Sequence, residues 1–222
     1  TNFHLLADST ITTNSDQTVG NVTVKENQNP MLTLGGNTTL EVLQFVSITA
    51  SCPESLPIQP KGQLKLPGGV KIDTGGTLCI DGWIEGDIAL DGGTLQVDDD
   101  FTISSSSTIS LLSSSTIKLV DGSSLTYEGD SISLGENSLS LNGEGSLILN
   151  DGGTNAVTLN SEGGELEFAG DETITVSHVK TSSGDSSSAP SIKMTSSGVV
   201  ENLAHENFLE INFLNGKNLT LS

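Results

Sequence analysis

Short segments of alternating apolar and polar residues recur about every 7 to 9 residues between Asp91 and Val179, and this repeat limits the possible folds. Alternation with a period of two places one side of each segment inward and the other in water, as in a half-buried β-strand. Gly, Asp, Asn and Ser, which favour turns, separate the segments. Representative segments are 94–97, 108–111, 124–127, 138–141 and 156–159. The pattern predicts one small structural unit repeated along the chain.

Many short strands can build a sandwich or a barrel as well as a solenoid. Here the strands are evenly spaced, and the residues at matching inward positions are similar, as in the series Leu125, Ile132, Leu139 and Leu147. Like residues stack on like in parallel coils, because each lies one ladder step of about 4.8 Å above its equivalent. The sequence therefore predicts an all-β fold, a right-handed parallel β-helix (β-solenoid). We expect the outward hydroxyls of Ser133, Ser140, Thr158 and Thr175 to form ladders.

Two coil lengths fit the spacing. Asp-Gly pairs begin at Asp91, Asp121 and Asp151, which indicates a repeat of about 30 residues. A three-sided coil of about 22 to 24 residues fits the strands as well, with Phe101, Ser124 and Ser146 in one column. The sequence leaves both open.

The domain organisation follows from breaks in the rhythm. We predict a β-solenoid over 1–180, with an excursion at 52–61, where three prolines remove ladder donors. Residues 181–190 read as a polar loop, and 191–222 as further coils or the start of a next module, with a short helix considered around 201–207. The first residue is not Met and the last segment is strand-like, which we interpret as a segment of a longer protein.

The charge balance argues against several classes of partner. The chain has 28 acidic and 8 basic residues, a net charge of −20, and every basic residue is lysine. Nucleic acid and anionic membrane surfaces are poor partners, because no basic patch can neutralise their phosphates. No run of 18 apolar residues occurs, so we expect no membrane-embedded segment.

One acidic cluster is a candidate calcium site. Asp98, Asp99 and Asp100 are consecutive, and we expect Glu85 and Asp87 nearby on the preceding coil. Calcium prefers several carboxylate and carbonyl oxygens together. The alternative interpretation is a solvated turn. We expect no other cofactor.

Two further kinds of site concern covalent chemistry. Cys52 and Cys79 are the only cysteines, and stacked coils could bring them together as a disulfide in an oxidising compartment, or leave them as buried thiols. Sequons at Asn21, Asn37 and Asn218 are candidate N-glycosylation sites.

The strand-turn units of 62–180 and the Gly-Gly turns resemble the β-helical stalks of bacterial surface proteins, namely filamentous-haemagglutinin-type adhesins and autotransporter passenger domains. The Gly-Gly turns stand at Gly75-Gly76, Gly92-Gly93, Gly152-Gly153 and Gly163-Gly164. The resemblance implies an extracellular or cell-surface protein whose partner is a glycan or protein on a host or neighbouring cell.

The expected function is a non-enzymatic structural or adhesive β-solenoid. The alternative is a β-helical polysaccharide lyase or glycoside hydrolase. A lyase needs a base and a cationic group at the sugar carboxylate, which a chain without arginine supplies poorly. An inverting hydrolase needs two carboxylates about 6.5–9.5 Å apart. Ice binding needs a flat array of Thr-x-Thr on one face; Thr173-Ile-Thr175 has that form, but no ladder of it recurs.

Overall fold

The structure is a computed structural model of the chain. It describes residues 3–5, 10–13, 15, 17–24, 31–34, 39–48, 63–129, 131–149, 157–169, 174–177, 179–182, 191–201, 204–206, 210–213 and 218–221. Among these residues every regular element is a β-strand.

The strands follow one another at short intervals, as the alternating segments predict. The first twelve are β1 (Phe3–Leu5), β2 (Thr10–Thr13), β3 (Gln17–Val24), β4 (Met31–Leu34), β5 (Thr39–Ile48), β6 (Gln63–Asp73), β7 (Thr77–Asp91), β8 (Thr94–Ile103), β9 (Ile109–Ser113), β10 (Ser115–Tyr127), β11 (Ser131–Gly135) and β12 (Ser138–Leu149). The others are β13 (Val157–Ser161), β14 (Glu165–Phe168), β15 (Ile174–Ser177), β16 (Val179–Ser182), β17 (Ser191–Met194), β18 (Gly198–Glu201), β19 (Ala204–Glu206), β20 (Glu210–Phe213) and β21 (Leu219–Leu221).

Parallel pairing arranges these strands on three faces, which the chain visits in a fixed order. Face A contains 77–80, 94–97, 115–119, 138–142, β14, β17 and β20. Face B contains 63–66, 82–86, 101–103, 123–127, 145–149, β15, β18 and β21. Face C contains 70–73, 88–91, β9, β11, β13, β16 and β19. β1, β3 and β5 extend the stack toward the amino terminus, and β2 pairs with β4 in a separate sheet. The predicted all-β parallel β-helix is confirmed.

The register shows a coil length that varies along the chain, from a short step between Leu78 and Leu95 to a long one between Leu147 and Val176. Thr94 pairs with Thr116, and Phe101 pairs with Leu125. Both steps match the shorter of the two predicted coils, which is therefore the physical one in this part of the chain. Farther on, Leu139 pairs with Leu166 and Leu147 with Val176. These later steps are longer, because more residues separate β12 from β13 and β14 from β15.

The core is a column of apolar side chains inside the three faces. Leu78, Leu95, Ile117, Leu141, Phe168 and Met194 stack in register along face A, and all six are buried. The predicted inward residues Leu125, Ile132, Leu139 and Leu147 are buried as well. Complete burial of one such side chain stabilises the fold by about 1.5–3 kcal/mol. The column thus ties each coil to its neighbours.

A tyrosine closes one corner of the core. The buried Tyr127 hydroxyl lies 3.0 Å from the carbonyl oxygen of Ser107 and 2.8 Å from that of Ser131. Gly129 lies against it, since a Cβ on Gly129 would collide with the Tyr127 hydroxyl oxygen. The single hydroxyl hydrogen can be donated to either carbonyl oxygen, and this buried contact fixes the turn between faces B and C.

The residues predicted to form hydroxyl ladders each pair with another hydroxyl residue on a neighbouring coil: Ser133 with Ser110, Ser140 with Thr116, Thr158 with Ser131 and Thr175 with Ser146. Ser140 belongs to a longer column on face A that also contains Thr77, Thr94 and Thr116. One sequence expectation differs from the structure. The helix considered around 201–207 is wrong, because Ala204–Glu206 is a strand that pairs with β16. Amphipathic patterns this short do not distinguish a helix from a strand.

The strands beyond residue 190 continue the same stack. β17 pairs with β14, β18 with β15 and β19 with β16, and β20 and β21 pair with β17 and β18. β16 reaches Ser182, inside the segment predicted as a loop. The excursion at 52–61 and residues 183–190 lie outside the described residues.

Candidate functional site

A charged cluster on face A joins three consecutive coils. Lys193 Nζ lies 3.0 Å from Glu167 Oε1 and 3.5 Å from Glu165 Oε1. Ser140 Oγ donates to Glu167 Oε2 at 3.0 Å, and Ser138 Oγ donates to Glu165 Oε1 at 3.3 Å. These residues belong to β12, β14 and β17, which stack in that order. Two hydroxyls on the preceding coil and one ammonium on the following coil therefore contact the two carboxylates.

The pKa of Glu167 lies below its ordinary value. Partial burial opposes ionisation of the carboxyl, but hydrogen bonds from Lys193, Ser140 and Thr195 together outweigh it and lower the pKa. The pKa of Lys193 is raised, chiefly by its hydrogen bond with Glu167. A glycosidase acid needs the opposite shift, a carboxyl held protonated near neutral pH. Glu167 is therefore an ion-pair partner with the wrong pKa for that role.

Because of this ion pair, we expect the stability of the fold to fall at low pH, which gives its pH profile an acid limb. Because the pKa of Glu167 is below 4.5 in the folded chain, its contribution to stability is complete above pH 4.5 and is lost as the pH falls through the folded-state value. The raised pKa of Lys193 acts at the other end, where stability is lost as the pH rises above 10.5. We expect the melting temperature of Glu167→Gln to fall less between pH 6 and about pH 3 than that of the wild type.

Lys193→Gln is the matched control, since it keeps the carboxylate and removes its cation. It should flatten the same acid limb, because Glu167 then titrates closer to its ordinary value. Differential scanning calorimetry across this pH range measures both variants. An acid limb that is unchanged in both variants would contradict the assignment.

Hydroxyl-to-carboxylate hydrogen bonds between coils recur elsewhere. Thr108 donates to Asp87 through its amide and its hydroxyl, at 3.1 and 2.7 Å. Ser113 Oγ donates to Asp91 Oδ1 at 3.0 Å. Lys71 Nζ lies 2.6 Å from Asp73 Oδ1 and 2.5 Å from Asp91 Oδ2, and these hydrogen bonds raise the pKa of Lys71. The pKa of Asp91 is lowered by the hydrogen bonds from Lys71 and Ser113. Asp87, Asp91, Glu165 and Glu167 thus each bond a side chain one coil away.

The candidate calcium residues lie at the corner between faces A and B. Gln96 Nε2 donates to Asp98 Oδ1 at 2.7 Å, and Ser124 Oγ donates to Asp100 Oδ1 at 2.6 Å. Asp99 Oδ1 accepts the amide of Asp100 at 2.8 Å. Each of the three carboxylates has a different partner.

The neighbour of this cluster on the preceding coil differs from the one expected. Ile80 pairs with Val97 and Gly82 with Phe101, so Asp81 is opposite 98–100 in register. Glu85 lies farther along face B, and Asp87 bonds Thr108. In the part of the chain that the structure describes, no three His, Cys, Asp or Glu side chains form a group that could hold a metal ion. Calcium binding stays a prediction.

The structure places the covalent candidates only in part. Cys79 is in β7, opposite Gln96, whereas Cys52 lies outside the described residues, so the disulfide stays a prediction. Asn21 is in β3, opposite Phe45, and Asn37 lies outside the described residues. Asn218 is exposed, and its carbonyl oxygen accepts the Gly198 amide at 3.0 Å.

Sequence reasoning missed the cluster of Glu165, Glu167 and Lys193. The lysine is distant from both glutamates along the chain, and only the register shows that it lies one coil away from them. The available signal was the alternation Glu-Leu-Glu at 165–167 followed by Ser-Ile-Lys at 191–193, two strands with the same inward pattern.

Face B has a different surface from face A. Its outward residues from 101–103 to 198–200 include Thr102, Ser124, Thr126, Ser146, Ile148, Thr175 and Val199, and none of these seven is charged. All seven are partly exposed. Glu201, at the end of β18, bounds this uncharged region toward the carboxyl terminus. Within the described ranges, no helix has the length and apolar character needed to span a membrane.

Comparisons with protein-family models, curated proteins and solved structures found no match to this chain.

Proposed function

We propose that this chain is a segment of a non-enzymatic extracellular β-solenoid that serves as a stalk or adhesive surface of a larger cell-surface or secreted protein. Its partner is a glycan or protein on a host or neighbouring cell. The column projects a binding region away from its attachment point, and its faces offer regularly spaced side chains. The function is geometric and needs no reacting group.

The main support for this proposal is that outward carboxylates on face A, on face C and at the corner before face C form hydrogen bonds with neighbouring coils. Hydroxyls one coil away bond Asp87, Asp91, Glu165 and Glu167, and lysines pair with three of these four. Each bond joins one coil to the next, so these charges reinforce the column. An acid or base for sugar cleavage must instead reach a substrate proton.

The second candidate is a polysaccharide hydrolase or lyase. One observation favours it: Glu165 and Glu167 are two residues apart on the outward side of one strand, a spacing of about 6.6–6.8 Å along the chain, within the range of an inverting pair. Their shared lysine and the lowered pKa of Glu167 oppose it.

A glycan array combined with a turnover assay decides between these functions. The purified chain is incubated with soluble polysaccharides, with and without millimolar calcium, and reducing ends and unsaturated products are measured. We expect the wild type and a Glu165→Gln/Glu167→Gln variant to be equally inactive, whatever binding the array records. Product release by the wild type that the variant loses would replace the proposed function with catalysis at this pair.

A further inference from the structure

Face B, taken over its outward residues from Thr102 to Val199, presents uncharged columns across successive coils of a chain whose net charge is −20. Face A has Glu165, Glu167 and Lys193 on its outward side. Acidic residues also stand at the corner before face B, at 98–100 and at Glu144. The uncharged region is bounded by acidic residues: Glu201 ends the column that contains Thr126 and Ile148, and the partly exposed Glu128 follows Thr126 at the corner toward face C.

The outward side chains of face B form two columns. Ser124, Ser146, Thr175 and Val199 stack in one column. Thr102, Thr126 and Ile148 stack in the other, which continues through Ser177 to Glu201. Adjacent coils lie about 4.8 Å apart, and side chains on one strand repeat about every 6.6–6.8 Å. The result is a grid of hydroxyl and methyl groups.

Several hydroxyls of this grid are available to a partner. Ser124 donates to Asp100, but no hydrogen bond to another described residue occupies the hydroxyls of Thr102, Thr126, Ser146 and Thr175. Each hydroxyl can donate one hydrogen bond and accept two. Ile148, Val199 and the threonine methyl groups supply apolar contact between them. The grid therefore offers hydroxyl groups and apolar groups side by side.

We propose that face B is the docking surface for an ordered neutral polysaccharide, such as an insoluble β-glucan; this rests on the adhesive function proposed above. A polyanionic partner is repelled by the net charge of −20. A purely apolar partner would bury the hydroxyls without hydrogen bonds, which is unfavourable. A neutral polysaccharide presents hydroxyl and C–H groups alternately and incurs neither cost.

The stack also explains how weak contacts can suffice. Each hydroxyl contact to a sugar contributes little free energy, because it replaces a bond to water. The grid is held rigid by the parallel ladder, so one contact places the others close to their partners. An ordered, insoluble polymer gains from this repetition, whereas a short soluble oligosaccharide reaches only part of the grid.

Ice is another ordered surface that hydroxyl groups can bind, and face B fits it less well. The step from one coil to the next is uneven along this face, running from 102 to 126, from 126 to 148 and from 146 to 175. Ile148 and Val199 also interrupt the hydroxyl columns. Outward residues on one strand read Ser-x-Thr at 124–126 and Ser-x-Ile at 146–148. A polymer with adaptable hydroxyls tolerates this variation better than a single crystal lattice does.

The test is retention of the purified full chain on microcrystalline cellulose. Thr126→Glu places one carboxylate in the middle of the grid, and we expect its affinity to fall roughly tenfold or more, because the new charge loses water without gaining a partner. Ser133→Glu adds the same charge at an exposed position on face C and should bind like the wild type. Thr126→Ser keeps the hydroxyl and should also bind. Melting temperatures confirm that each variant is folded.

The possible results separate this proposal from the function on which it rests. Equal losses for Thr126→Glu and Ser133→Glu, or no retention of the wild type, would overturn docking through face B and leave the structural role intact. Inhibition of ice recrystallisation without retention on cellulose would assign the face to ice and also overturn the proposal. Sugar release from a soluble polysaccharide would instead overturn the non-enzymatic function.

Discussion

Leu139→Asp is expected to abolish cooperative folding of the coils around it. Leu139 is fully buried and stands in register between Ser115 and Leu166. An unpaired carboxylate at this position has no cation within the column, and burying such a charge costs several kcal/mol. Because a domain of this kind is stable by about 5–15 kcal/mol, one such substitution removes a large share of the total. Neighbouring coils should unfold with it, since each coil is stabilised by contacts with the next.

Ser133→Asp is the matched control. Ser133 is exposed on face C and pairs with Ser110 in register. Ser140, the outward neighbour of Leu139, is a poorer control because its hydroxyl bonds Glu167, and an aspartate there would face that carboxylate. Circular dichroism should record a melting temperature near that of the wild type for Ser133→Asp and a large loss for Leu139→Asp. Equal melting temperatures would contradict the assignment of inward and outward positions.

Gly143→Ala is expected to have the second-largest effect, because a close contact between coils leaves no room for a Cβ. Gly143 has a φ of +91°, and a Cβ on it would overlap the Leu119 carbonyl oxygen of the preceding coil. Relief of that clash requires a backbone shift in one of two stacked coils. We expect the backbone shift to cost about 1–3 kcal/mol in addition to the strain of the positive φ.

Gly122→Ala separates the two causes. Gly122 also has a positive φ, +77°, but nothing lies within 4 Å of the position that a Cβ would occupy, so only the backbone strain of roughly 1–2 kcal/mol applies. Denaturant unfolding of both variants gives the difference in the free energy of unfolding. If both variants lose the same amount, the close approach of Gly143 to Leu119 is not a constraint on the fold.

The fold could be predicted from the sequence because the inward pattern is local. Alternation identifies each strand, and the similarity of Leu125, Ile132, Leu139 and Leu147 favours parallel stacking. The coil length could not be predicted, since the Asp-Gly pairs at 91, 121 and 151 indicate the longer repeat whereas the pairing of Thr94 with Thr116 gives the shorter one. Turn signals mark corners but do not say how many corners make one coil.

The candidate surfaces depend on register and were therefore less predictable. Glu167 and Lys193 meet only because their strands are one coil apart, and Asp81 is the neighbour of 98–100 because β7 pairs with β8. The same dependence concealed face B, where Thr126 lies between Thr102 and Ile148 in one column although all three are distant along the chain. Outward residues vary freely because water accepts most of them, so no periodic signal identifies their neighbours.

We propose that the chain binds a polysaccharide surface and does not cleave it. One suspension of the wild-type chain with microcrystalline cellulose tests this most directly, because two quantities are measured together. Protein remaining in the supernatant reports binding, and soluble reducing sugar reports cleavage. If face B binds the polymer and no residue cleaves it, protein is depleted from the supernatant while sugar stays at the level of a protein-free suspension. Soluble sugar that increases with time and with protein concentration would show that the chain is an enzyme.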